Sequence, residues 1–392
     1  MTSIPAVLPA YAGAGAGSGL RVDRLTHAED LEALEGPWRD LLADSAADCL
    51  FLTWEWQYTW WRHFGDGRQL ALYAGRTADR LDVLAPLIAR ERQPLRGRPF
   101  LTFEPFGTGS VGSDYLDVIV RRGCEREALD ALADRLGDDR VLLSFPRVRA
   151  DGTAAHELGG RLQHGGWHVQ SIDGTVCPYI TLAAHTWESY VDSLGREHRA
   201  NVRRRLRKLQ DAFDVRLERA LDDGTRREAL RILVDLHTRR WDTRGGSTAF
   251  HLPALVRFHE DFSRLALERG WLRLYVLRLD GEPAAAIYGF RYRSTFLFYQ
   301  SGFDPRFAPH AVGLALMGLV IREAIAEGAG EFDMLHGDEP YKFLWAARQR
   351  GLHHLELYPP TPRGTWSRRI TRVARATRAA ARTAAARLGR RR

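Results

Sequence analysis

Lysine is nearly missing from this chain. Of its 57 basic residues only Lys208 and Lys342 are lysines. Arginine is the default cation here, so a lysine marks a place where a compact, titratable ammonium serves and a planar guanidinium does not. Cysteine is scarce as well: Cys49, Cys124 and Cys177 are too few and too scattered for a disulfide framework or a Cys-rich zinc site. A reducing compartment is expected, and no metal site. No apolar window of about 18 residues occurs, so nothing is expected to span a membrane. No positive side chain precedes Arg21, and the Ala/Gly run at 12–19 is too short for the apolar part of a signal peptide. The expectation is a cytoplasmic protein. Acid is missing from one stretch, because residues 363–392 hold eleven arginines and no Asp or Glu. Taking those eleven from the net charge of +8 leaves −3 for the rest, so the basicity belongs to a tail and the body is mildly acidic.

What is present is ample core material. The 392 residues are 45% hydrophobic and include 11 tryptophans, enough for roughly two or three domains with a large buried interior. Residues 1–19 read as disordered. From 20 to 175 strands and helices alternate: a helix at 28–43, strands at 69–75 and 81–89, an apolar run at 115–120, a helix at 125–136 and a strand at 141–145. Such a series predicts an α/β layer. Trp54, Trp56, Trp60 and Trp61 could line a ligand wall or fill a core.

A second series fills 176–360. Helices are expected at 186–194, 196–209, 226–240 and 253–269. Residues 271–279 alternate at period two, as a half-buried strand does. Asp280-Gly281 is a hairpin turn signal, followed by strands at 284–292 and 295–302. A helix at 312–327 ends at Gly328 and Gly330, and a strand at 331–335 follows. The tail, 361–392, carries apolar residues at three- and four-residue steps among its arginines. It reads as a basic amphipathic helix that could rest on anionic lipid, with solvated disorder as the alternative.

The chemistry gathers at residues 336–343. His336-Gly-Asp-Glu-Pro-Tyr-Lys342 places five ionisable side chains after a strand, with a helix expected at 343–350. Strand-end loops carry chemistry out of proportion to their length. His336, Asp338 and Glu339 are candidate bases; Tyr341 and Lys342 complete the set. Arg199, Arg203 and Arg207 share one helix face at steps of four. They could grip a phosphate-bearing acceptor or form a solvated basic face. His237, near Arg240 and Trp241, is either a core histidine or a base.

The order of elements, with Arg199-Ala-Asn-Val-Arg-Arg-Arg205, Leu236-His-Thr-Arg-Arg-Trp241 and Phe332-Asp-Met-Leu-His-Gly-Asp-Glu-Pro-Tyr-Lys-Phe343, resembles the GNAT acyltransferase superfamily. Within it the resemblance is to the CelD/BcsL-type acetyltransferases tied to polysaccharide or envelope biosynthesis, distantly related to the FemABX peptidyl ligases. It implies an α/β fold with a mixed sheet: two GNAT-like halves in tandem, packed side by side, a degenerate half at 20–175 and an active half at 176–360. It also implies acetyl-CoA or another acyl-CoA as co-substrate. Ser301 and Gly302 would border that cofactor. His310-Ala-Val312-Gly313-Leu-Ala315 matches the spacing of the superfamily's pyrophosphate loop, with His where Gln or Arg is usual. Tyr341 would protonate the departing thiolate and Lys342 would neutralise an oxyanion or an acceptor phosphate. Arg199, Arg203, His237, Arg240 and Trp241 would hold the acceptor, a small molecule or a glycan or lipid-linked one. The alternatives are transfer from aminoacyl-tRNA, as in FemABX enzymes although their long helical insertion is missing, or a non-catalytic binding scaffold.

Overall fold

The computed structural model describes residues 19–92, 100–242 and 252–389. The stretch read as disordered lies, apart from Gly19, outside them. The first series is β1 (Arg21–Leu25), α1 (Ala28–Ala33), α2 (Glu35–Ala43), α3 (Trp54–Phe64), β2 (Gln69–Thr77), β3 (Arg80–Arg92), β4 (Phe100–Pro105), β5 (Ile119–Val120), α4 (Glu125–Asp139), β6 (Leu142–Arg149), α5 (Ala154–His164) and β7 (His168–Thr181). The second is α6 (Trp187–Ser193), α7 (Arg196–Ala212), β8 (Val215–Arg219), α8 (Asp223–Asp242), α9 (Pro253–Glu268), β9 (Leu272–Leu279), β10 (Glu282–Tyr292), β11 (Thr295–Phe303), α10 (Val312–Ala326), β12 (Glu331–Asp333), α11 (Lys342–Trp345), β13 (Arg348–Tyr358) and α12 (Pro362–Gly389).

All strands join one mixed sheet in the order β1-β2-β3-β4-β6-β13-β7-β12-β11-β10-β9-β8, with β5 beside β3. Each series contains a parallel pair whose connection includes a helix: β4 and β6 through α4, β11 and β12 through α10. The last strands are exchanged across the middle. β7, which ends the first series, pairs with β12 of the second, and β13, which ends the second, pairs with β6 of the first. The two exchanged strands also pair with each other along nearly their whole length. Their backbone hydrogen bonds therefore hold the halves together in one sheet.

Local chemistry accounts for the elements. Asp280 and Gly281 both have positive φ (49° and 84°), which the β9–β10 hairpin turn requires. Thr53 caps α3 by accepting from the Trp56 amide. The aromatic stretch is core, not a ligand wall: Trp54, Trp56 and Trp60 are buried, and Trp56 meets Phe51, Phe258 and Phe262 edge to face. Those last two rings come from α9, so one apolar layer spans both halves on this face of the sheet. The opposite face has two separate cores, under α4–α5 and under α6, α7 and α10.

Several expectations fail locally. The helix expected at 343–350 is the four-residue α11, and Arg348 onward is strand, because residues 348–350 pair with β7 before β6 joins at Leu352. The helix at 28–43 breaks at Leu34 into α1 and α2. Of the apolar run at 115–120 only β5 is strand. Tyr115, with φ of +60°, turns the chain away before it.

Candidate active site

β11 and β12 pair over three positions only, Thr295–Leu297 against Glu331–Asp333. Beyond them β11 continues along β10 to Phe303. The chain leaving β12 stays with β7 instead: the Met334 amide donates to the Pro178 carbonyl and the Gly337 amide to that of Val176, both at 2.9 Å. The sheet splits between them, at the carboxyl ends of two parallel strands, where open α/β sheets receive ligands.

The wall on the β11 side carries the expected cofactor residues. Ser301 is half-buried, and Gly302 lies against α8, where a methyl group would overlap the backbone of Leu236 and His237. His237 is itself buried in that helix. Ala311 turns the chain with φ of +55° into α10, with Val312 and Ala315 buried and Gly313 exposed. The first amides of α10 thus open beside the split, where a helix N-terminus attracts phosphate. His310 is exposed, with its ring edge-on to Phe213 at 4.8 Å. Arg205 of α7 donates to the Pro309 carbonyl at 3.2 Å, tying the basic helix to this loop.

The wall on the β12 side is the charged loop. His336 lies against Asp114, a fully buried residue from the first half: Asp114 Oδ2 is 2.9 Å from both the His336 amide and its Nδ1. Asp114 Oδ1 faces Arg147 at 3.6 Å. Next to this pair, the Tyr115 hydroxyl donates to Asp333 Oδ2 at 2.6 Å. Burial raises the Asp333 carboxyl to about 6, although the Tyr115 hydrogen bond and Arg350 pull the other way. Tyr299 of β11 donates to the Val111 carbonyl, so the 106–115 loop of the first half spans both walls of the split. Tyr115, Arg147 and Leu335 all have positive φ (60°, 57° and 53°) and surround the His336–Asp114 pair. Such strained non-glycine residues concentrate at functional sites.

Lys342 is buried. Its Nζ lies 2.7 Å from the His336 carbonyl, 3.3 Å from that of Leu335 and 3.0 Å from Glu339 Oε2. An ammonium has three donors, and all three are engaged. Gly337 makes the clasp possible: its φ is +128°, and a Cβ there would overlap the Glu339 carboxylate and sit 2.8 Å from Nζ. Asp338, Glu339 and Tyr341 are exposed, with Tyr341 at the N-cap of α11.

The predicted acceptor residues Arg199 and Arg203 are engaged with Asp192: Arg203 pairs with it at 2.7 Å, and Arg199 donates to its carbonyl at 2.9 Å. They share an open groove of about 600 Å³ on α7 with Arg196, Arg204, Arg207 and Lys208. Arg240 and Trp241 close α8, and their side chains fall outside the described residues. Sequence reasoning missed Asp114, Tyr115 and Arg147. The one signal was Gly107, Gly109 and Gly112 leading up to an acid, a loop that reads as turn chemistry and carries no period.

Residues 196–343 match the acetyltransferase (GNAT) domain family. Among solved structures, FemX shares 12% identity at a TM-score of 0.57, over 81% of this chain and 95% of that one. The C-terminal domain of a candidate lysylphosphatidylglycerol synthetase from Agrobacterium fabrum shares 12% at 0.52, over 84% and 91%. L-PGS from Bacillus licheniformis shares 14% at 0.50, over 89% and 96%. No curated protein matches the sequence. The chain has a GNAT acetyltransferase-domain fold, and at these identities the structural likeness extends to the fold alone.

Proposed function

We propose that the protein is an acyltransferase that moves an acetyl or similar acyl group from acyl-CoA to an amine or hydroxyl acceptor. The observation that carries this reading is the split between β11 and β12 with the α10 N-terminus opening beside it. The β11 edge from Phe298 to Phe303 turns toward the split, so an extended pantetheine arm can add to it as a strand would. The Val312 and Gly313 amides then meet the pyrophosphate, and His310 stands where an arginine or glutamine is usual. His336 is the base for the acceptor proton, and Asp114 orients its ring through Nδ1, leaving Nε2 for the acceptor. Tyr341 is the acid for the departing thiolate. Lys342 holds the loop closed, and it serves an oxyanion only if Glu339, its exposed partner, releases one N–H. The α7 arginines suit an acceptor bearing phosphate, such as a nucleotide sugar or a lipid-linked glycan, in polysaccharide or envelope synthesis.

A second reading replaces acyl-CoA with an aminoacyl-tRNA. The basic α7 groove, tied to the α10 loop through Arg205, favours it, since a polyanion would be drawn to that face. Calorimetry separates the two. Acetyl-CoA should bind the parent, and Gly313→Val should weaken it about 10–100-fold, the worth of one hydrogen bond to a charged group. If acetyl-CoA gives no heat and tRNA binds with steep salt dependence, the second reading replaces the first.

A further inference from the structure

The last helix is built the wrong way round for a helix that only packs on its own domain. α12 runs 28 residues, about 42 Å, from Pro362 to Gly389. Its inward positions are small or polar. Gly364 lies so close to the Pro359 carbonyl that a methyl group would overlap it, and Ser367 is 2% exposed. Thr371 hydrogen-bonds Tyr358, and Arg375 pairs with the buried Glu356 of β13. These positions follow one another at steps of three and four, which defines one face. The apolar residues lie on the other. Trp366 is 38% exposed and Val373, seven residues on, is 64% exposed, with Ile370 half-exposed between them. Arg369 and Arg372 flank this outward stripe, and Arg363 precedes it, all three exposed. The same sequence spacing continues through Ala380, Ala384 and Leu388.

We infer that the outward face of α12 rests on a membrane surface rich in anionic lipid. Charge picks out the partner. Residues 363–392 carry eleven arginines and no acid, which calls for a polyanionic surface, whereas the rest of the chain sums to −3. The apolar stripe decides its kind. A nucleic acid would engage the arginines and leave Val373 and Ile370 in water. A bilayer takes apolar side chains into its acyl boundary while its headgroups pair with the flanking guanidinium groups. The Glu356–Arg375 pair and the buried Ser367 fix the helix against β13, so the whole body is held at the surface in one orientation. Among the described residues no helix is long and apolar enough to cross a membrane, and surface binding needs none. This inference does not depend on the acyl-CoA reading.

The test is sedimentation of the full-length protein with vesicles of phosphatidylcholine alone and of phosphatidylcholine with 30 mol% phosphatidylglycerol (about one lipid in three anionic). The protein should sediment with the anionic vesicles and stay in solution with the neutral ones. Arg369→Glu with Arg372→Glu should lower partitioning about 25-fold or more, from about fivefold per basic residue. Val373→Asp should lower it as well, although it keeps every arginine. Both changes fall at exposed positions, and unaltered thermal melts monitored by circular dichroism show that the fold is retained. Three results overturn the inference. The parent stays in the supernatant with anionic vesicles; or Val373→Asp sediments like the parent, leaving only a charge contact; or light scattering shows a dimer that Val373→Asp dissolves while vesicles bind nothing.

Discussion

Replacing Lys342 with methionine removes the clasp of the charged loop and keeps its apolar stem. The ammonium is 5% exposed and bonded to two carbonyls, at 2.7 and 3.3 Å, and to Glu339 at 3.0 Å. A hydrogen bond to a charged group is worth about 1.5–3 kcal/mol. The Glu339 contribution is close to nothing, because that carboxylate is 54% exposed and water screens it. Water also reaches the half-exposed His336, so the shorter bond is partly replaced once the ammonium is gone. The expected loss is about 3 kcal/mol of unfolding free energy, read from urea titrations followed by circular dichroism. Turnover should fall with it, since the His336 carbonyl is one anchor of the loop that presents His336 to Asp114. Glu339→Gln separates clasp from catalysis. It should shift stability by less than about 1 kcal/mol. If the ammonium stabilises an oxyanion, the same change removes the competing carboxylate charge and leaves kcat equal or higher. A Lys342→Met unfolding curve that superimposes on the parent's would mean that Lys342 does not clasp the loop, because a buried ammonium with three acceptors cannot be removed without cost.

Asp114→Asn should lower kcat about 100-fold, within the range general base catalysis supplies, and leave acetyl-CoA affinity unchanged; a proportional loss of affinity would make Asp114 a scaffold residue only. Asp333 gives a pH test. Its folded value near 6 lies above the ordinary 3.8, so the stability of its protonated form is fully present below pH 4 and is lost as pH rises through 6. Relative to Asp333→Asn, the parent should therefore lose about 3 kcal/mol between pH 4 and 7, two pKa units at 1.36 each. A difference that stays flat across that window removes the buried carboxyl from the account.

Much of the second half could be read from the sequence because its signals are local. The strand at 271–279, the positive-φ pair Asp280-Gly281 and the helix stop at Gly328 are each set by a few neighbouring residues, although β9 is buried on both faces and not half-buried as its period of two implied. The exchanged strands have no such signature. β7 contains Gly174 and Pro178, which weaken any strand pattern, and it is held by β13 from about 180 residues away. A helix is expected at 343–350, yet pairing of Arg348, Gln349 and Arg350 with β7 makes strand of its end. The site divides in the same way. His336 and Lys342 stood out through their loop and through the rarity of lysine. Asp114 acquires its meaning only when the fold brings it to His336, 222 residues away.

Hydrogen exchange with and without acetyl-CoA locates the donor site, because it reports where the ligand lies as well as whether it binds. Acetyl-CoA should slow exchange of the β11 amides beyond the pairing with β12, from Phe298 to Phe303, and at Val312 and Gly313. The loop at 336–341 should be protected to a lesser degree. Protection confined to α7, or to the first half, or absent at saturating acetyl-CoA, would contradict a donor site in the split between β11 and β12.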